Sequence, residues 1–153
     1  MKPKKLGHLV LRVRDLARSE AFYTDVLGLR VTGRIPGRMT FFSSGEDSHD
    51  LAIARLGEDA PGPDPLQVGL YHFAYQVNTA DELKAWHWRL KENGVRIVGS
   101  ADHGVSHSLY FLDPDGIEVE LTYEVPPDQW PKDRNPFAGR EPLALEERVE
   151  VKG

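Results

Sequence analysis

Along this chain the apolar residues recur with two periods, and the order in which those periods alternate is itself repeated. Leu6 to Val13 alternates with period two. Leu9, Leu11 and Val13 fall on one face of the predicted strand and His8, Val10 and Arg12 on the other. Asp15 is placed to cap a helix through Arg18, Ala21, Phe22 and Leu27, which Gly28 ends. Residues 29–34, 38–43 and 49–56 read as three short strands separated by Pro36-Gly37 and Ser43-Ser44-Gly45. Residues 57–65, GEDAPGPDP, make a linker.

The same order then returns. Residues 69–77 read as a strand, with His72, Ala74 and Gln76 on one face and Phe73, Tyr75 and Val77 on the other. Thr79 with Glu82 is a capping-box signature. The helix it opens carries Leu83, Trp86 and Leu90 on one stripe and closes at Gly94. Residues 95–98, 106–112 and 116–123 supply three further strands, the last two joined by the turn Asp113-Pro114-Asp115-Gly116. Ile117, Val119 and Leu121 alternate with Glu118 and Glu120. The histidines His8 and His72 and the caps Asp15 and Thr79 are offset by 64 residues, and the glycines Gly28 and Gly94 by 66. That repetition predicts an α+β fold of two paired βαβββ modules, at about 5–57 and 69–123. Together they make one domain over 1–125, followed by a Pro-rich, charged extension over 126–153. Trp130 and Phe137 could fix that extension to the body or to a second subunit, or it could be a flexible tail.

Composition narrows the chemistry. The 153 residues are 40% hydrophobic and 28% charged, as in a globular domain. Without cysteine there is no disulfide, thiolate metal site or thiol nucleophile. A formal net charge of −5, with no basic patch beyond Lys2, Lys4 and Lys5, argues against nucleic acid as a partner. No apolar run has the length of a membrane span, and the first residues lack the apolar core of a signal peptide, so a cytoplasmic protein is expected.

A single strand histidine is commonly structural, but His8 and His72 hold matched positions in a repeat. If the modules pair about a pseudo-twofold axis, both imidazoles can point into one concavity, and Glu120 could reach the same point. Two imidazoles and one carboxylate leave adjacent positions open on an octahedral ion, the facial triad suited to Fe(II) and oxygen, with Mn(II) also acceptable.

At this point the chain resembles the vicinal oxygen chelate superfamily, the glyoxalase, bleomycin-resistance and extradiol dioxygenase group. GHLVLRVRDLARSEAFYTDVLGL at 7–29, YHFAYQV at 71–77 and YFLDPDGIEVEL at 110–121 carry the resemblance, which covers about residues 5–123. It implies a glyoxalase-like fold, a curved and partly open mixed sheet around a metal site. It also selects Glu120 over Glu118 as the carboxylate ligand beside His8 and His72, leaving Glu118 to solvent. Type I extradiol dioxygenases are the most similar group. The resemblance makes His49 in HDLAIA an acid–base residue, and places His103 in DHGVS and Tyr110 beside the substrate. The linker between His49 and His72 is longer than that group leads one to expect, and the segment from His103 to Tyr110 is shorter.

The implied activity is Fe(II)-dependent ring cleavage of a catechol with O₂, and a homodimer is expected from the exposed sheet edges that such units tend to pair. Other readings on the same scaffold are a glyoxalase I or epimerase type of enzyme, a fosfomycin thiol transferase, and a sequestering protein of the bleomycin-resistance kind. The first needs a fourth ligand from the last strand of module one, where the positions compared hold alanine. The second favours a polar residue just after the first histidine, where Leu9-Val10-Leu11 stands. The third has no need of an intact triad. His87, beside two tryptophans, reads as surface, and His107 has the wrong parity to share Tyr110's face.

Overall fold

The computed structural model describes residues 1–149, which form two compact units, one over residues 1–63 and one from residue 64 onward. In the first, β1 (Leu9–Val13) leads into α1 (Leu16–Ala21), followed by β2 (Arg30–Ile35), β3 (Met39–Ser43) and β4 (Leu51–Arg55). The sheet order is β1-β4-β3-β2, with β1 and β4 parallel and the other pairs antiparallel. The second unit repeats this. β5 (His72–Gln76), α2 (Ala80–Glu92), β6 (Ile97–Asp102), β7 (Ser106–Leu112) and β8 (Glu118–Glu124) give the order β5-β8-β7-β6. Even the irregularities repeat, since β2 slips register before Gly33 and β6 before Gly99. The chain therefore carries two copies of a βαβββ unit, each an open, mixed four-stranded sheet.

In each unit one sheet face is buried under the helix. Leu11, Val13, Phe42, Leu51 and Ile53 pack in the first core, with Tyr23 fully buried against Phe42 at 5.8 Å between ring centroids. Phe73, Leu109, Phe111, Val119 and Leu121 form the second, with Leu83 and Leu90 of α2 wholly buried. Burial on this scale, at roughly 1.5–3 kcal/mol per large apolar side chain, pins the strand parity. A one-residue slip would turn the charged face inward.

The first helix departs from the expected single α-helix. Asp15 Oδ1 accepts from Arg18 N as the N-cap, but after Ala21 the chain widens into a π-helical turn at Phe22–Val26. Leu27 N donates to Phe22 O, five residues back, and Thr24 Oγ1 donates to Glu20 O at 3.0 Å, a back-bond that opens helical turns. Phe22, Tyr23, Val26 and Leu27 are all buried there. In α2, Thr79 Oγ1 accepts from Glu82 N, while Glu82 accepts from Asn78 N, close to the expected capping box. No described helix is long and apolar enough to cross a membrane.

The described part of the extension packs on the second unit. Trp130 Nε1 donates to Val125 O and its ring meets Phe137 edge-on at 5.8 Å. Leu145 is 3% exposed, and Leu145 O lies 2.9 Å from His87 Nδ1. His87 is therefore half-buried and tied to the extension, where the sequence suggested a surface residue.

Candidate functional site

The β5–β8–β7 register gathers the candidate chemistry of the second unit on one sheet face. Parallel pairing sets His72 opposite Glu118 and Ala74 opposite Glu120; antiparallel pairing sets Tyr110 opposite Glu120. The DPDG turn holds this register. Asp113 Oδ1 accepts from Asp115 N and Ile117 N, and Gly116 sits at φ +86°, which disfavours any residue with a Cβ.

His72 stands between the two carboxylates. Its Nε2 is 3.1 Å from Glu120 Oε2, and its Nδ1 is 3.4 Å from Glu118 Oε1. Glu120 is 8% exposed. The second contact is within ion-pair range but is not a formed hydrogen bond, and the buried Nδ1 has no other partner among the described residues. Glu118 is thus not the solvated residue the sequence reading left it as. Period two places it on the Glu120 face, and register brings it to the imidazole.

These donors suit a metal ion. Two donor atoms at adjacent positions of an octahedral ion, each at roughly 2.1 Å, lie about 3 Å apart, which is the spacing of His72 Nε2 and Glu120 Oε2. A ligating histidine ordinarily turns its other nitrogen to a carboxylate, and Glu118 stands there. Among the described residues no three His, Asp or Glu side chains form a complete metal cage. The second unit on its own offers a two-donor edge.

Beside that edge, Tyr110 OH is 2.9 Å from His103 Nε2, and the Tyr110 ring lies 5.4 Å from that of His72. His103 Nδ1 is 3.0 Å from Gly139 O. A carbonyl can only accept, so Nδ1 carries the proton. In neutral His103, Nε2 then accepts from the Tyr110 hydroxyl, which leaves the phenol oxygen's lone pairs facing the cavity. Burial pushes the Tyr110 phenol above its ordinary value, and the Glu120 charge acts in the same direction against the Ser108 hydroxyl. Tyr110 is a neutral hydrogen-bonding group throughout the physiological range.

His72, His103, Tyr110 and Glu118 line an open cavity of about 380 Å³, with Tyr71 and Val98 as further walls. Arg140, from the extension, completes its rim. Sequence reading missed Arg140, and no local pattern around it signals a site. His107 turns elsewhere, with Nε2 3.6 Å from Asp102 Oδ2 and its ring against Tyr123, as parity predicted.

In the first unit, His8 lies just before β1 and is exposed, and its ring is 4.5 Å from that of His49. His49 packs edge-on to Phe41, and its Nδ1 is 3.2 Å from Ser48 Oγ. The β1–β4 register pairs Val10 with Ala52, as β5–β8 pairs Ala74 with Glu120, so the first unit's counterpart of Glu120 is Ala52.

The chain thus combines a duplicated βαβββ unit with an imidazole–carboxylate edge on one sheet face of the second unit. Residues 5–121 match the model of the Glyoxalase/Bleomycin resistance protein/Dioxygenase superfamily, and the chain belongs to that family. It is 36% identical over 118 residues to biphenyl-2,3-diol 1,2-dioxygenase 3 of Rhodococcus globerulus, covering 76% of this chain and 62% of the relative. It is 33% identical over 133 residues to catechol-2,3-dioxygenase of Bacillus subtilis, covering 84% and 45%. The chain thus spans between about half and two thirds of those relatives' lengths. Among solved structures, a lactoylglutathione lyase from Agrobacterium tumefaciens aligns with a TM-score of 0.63 at 28% identity, covering 80% of this chain and 96% of that one.

Proposed function

We propose that this protein is an Fe(II)-dependent extradiol dioxygenase that cleaves a catechol beside its diol, with His8, His72 and Glu120 as the metal ligands. The observation that carries the reading is that His72, which pairs with Glu120, lines the same cavity as the Tyr110–His103 pair. Similarity to a biphenyl-2,3-diol dioxygenase and a catechol dioxygenase supports it. Mn(II) fits the same donors.

Fe(II), when bound, supplies chelation of both substrate oxygens and the redox chemistry that joins O₂ to the ring. The chain's residues bind, orient and move protons. Tyr110, its hydroxyl hydrogen committed to His103, accepts from a substrate hydroxyl through the phenol oxygen. His103 can relay that proton, because Gly139 O fixes its tautomer. His49, with Nδ1 engaged by Ser48, uses Nε2 as the acid–base atom during oxygen attack and ring opening. Tyr71 and Val98 supply the apolar walls that hold an aromatic ring. Both oxygen atoms enter the ring-opened product, a hydroxymuconic semialdehyde type of compound. The protein acts in the cytoplasm as a homodimer in this reading.

The lyase reading has for it relatives of that name, both in sequence and among solved structures. Alanine at the register position of Glu120 in the first unit weighs against the four-ligand set it requires. The test is anaerobic loading with Fe(II), addition of 4-methylcatechol and O₂, and absorbance of the yellow product. A yellow product with one O₂ consumed per catechol is expected. Absence of product from the loaded protein overturns the dioxygenase reading.

A further inference from the structure

The extension contributes a cation to the cavity. Arg140 lines it together with His72, His103, Tyr110 and Glu118, and among the described residues its guanidinium has no hydrogen bond or ion pair. Its neighbours in the extension are bonded differently: Arg134 lies 3.9 Å from Glu141, and Arg148 3.0 Å from Glu92. The other charged or titratable side chains of the cavity are histidine, tyrosine and glutamate, so Arg140 is its one permanent cation among the described residues.

The backbone on both sides of Arg140 is fixed. Gly139 is buried with its carbonyl on His103 Nδ1, and a Cβ there would stand 2.9 Å from His103 O, so only glycine allows the approach. On the other side, Glu141 pairs with Asp102 through two backbone hydrogen bonds, each of 2.9 Å. The chain is stitched to the 102–104 segment immediately before and after Arg140. Arg140 is exposed at the wall of the open cavity, and a guanidinium held there with its donors unspent can receive an anion in a charge-assisted bidentate contact.

We infer that Arg140 is a specificity-determining residue that receives an anionic ring substituent, a carboxylate foremost, so that the favoured substrates are carboxylated catechols. This rests on the ring-cleavage reading for the diol end of the ligand, but the anion contact is separable from it. The family match ends at residue 121, so the selectivity is built by a segment beyond it.

The experiment compares 3,4-dihydroxybenzoate with 4-methylcatechol on the Fe(II)-loaded 153-residue chain. Binding is measured by calorimetry without O₂, and turnover separately with O₂. The wild type should bind and turn over the carboxylated ligand about 10–100-fold better, the range for one charged hydrogen-bonded contact. R140Q should bring that ratio close to one, R140K should keep part of it, and R140E should invert it. Loss of preference in R140Q together with its partial retention in R140K shows a charge contact and not a packing defect. No preference in the wild type, no binding of the carboxylated ligand, or a preference that survives R140Q overturns the inference. Arg140-dependent binding without ring cleavage of either compound would retain the anion site and remove the dioxygenase reading. Cleavage of 4-methylcatechol without Arg140-dependent selectivity would do the opposite.

Discussion

At the scale of single residues, the two glutamates of β8 show how far chemistry can be read from a strand. Period two places Glu118 and Glu120 on one face, and nothing in that alternation distinguishes them. Their difference comes from pairing. Glu120 lies beside Tyr110 and is buried against His72 Nε2, while Glu118 sits opposite His72 itself and faces Nδ1 from the cavity rim. In the proposed site Glu120 is a ligand and Glu118 orients the ligating histidine, and removing the two has different costs. E120A should abolish retention of Fe(II) through gel filtration, whereas E118Q should weaken metal affinity by about 10–100-fold, the range for carboxylates behind a ligating histidine. Metal content by mass spectrometry, with a chelator titration, distinguishes the two. Equal losses would mean that both carboxylates bind the ion.

At the scale of elements, most strands and both helices follow from hydrophobic period, capping residues and the Gly and Pro positions between them. The expected strand at 106–112 coincides with β7, and Asp15 and Thr79 cap the helices they were expected to cap. Other boundaries move because tertiary contacts set them. β6 runs to Asp102, well past the expected end at 98, because the whole segment pairs with β7. The π-helical turn of the first helix was not legible, since Phe22 and Val26 fit an ordinary helix equally well. The extension was the least legible element. Its docking depends on Gly139 meeting His103, on Trp130 reaching Val125 O and on Leu145 filling a buried site, all contacts between residues distant in sequence. G139A tests the arrangement. A methyl group 2.9 Å from a backbone oxygen forces the segment outward and breaks the His103 Nδ1 bond. The cost should be about 1–3 kcal/mol, in the range for overpacking, read as a lower midpoint in urea unfolding. The His103 ring resonances should shift in the same variant.

At the scale of the whole molecule, the duplication was visible as matched offsets, and the structure repeats it in strand order and in the register slips before Gly33 and Gly99. Each sheet ends in two edge strands, β1 and β2 in one and β5 and β6 in the other; Glu141 covers the end of β6 at Asp102, and open strand edges invite association. Light scattering should therefore give a particle of about twice the 17.2 kDa chain mass. A mass equal to one chain at micromolar concentration would remove the homodimer from the proposed function.

By itself, the sequence determined the repeated βαβββ pattern, the alternation of faces in β1, β5 and β8, the hairpin turn and the residue types available for chemistry. These are local, because period and turn chemistry act over a few residues. Tertiary structure alone decided that Glu118 shares His72 with Glu120, that Gly139 sets the tautomer of His103, and that Arg140 stands at the cavity rim. Each depends on register or on docking between segments tens of residues apart, where summed burial and hydrogen bonding choose the partner and no local pattern records the choice.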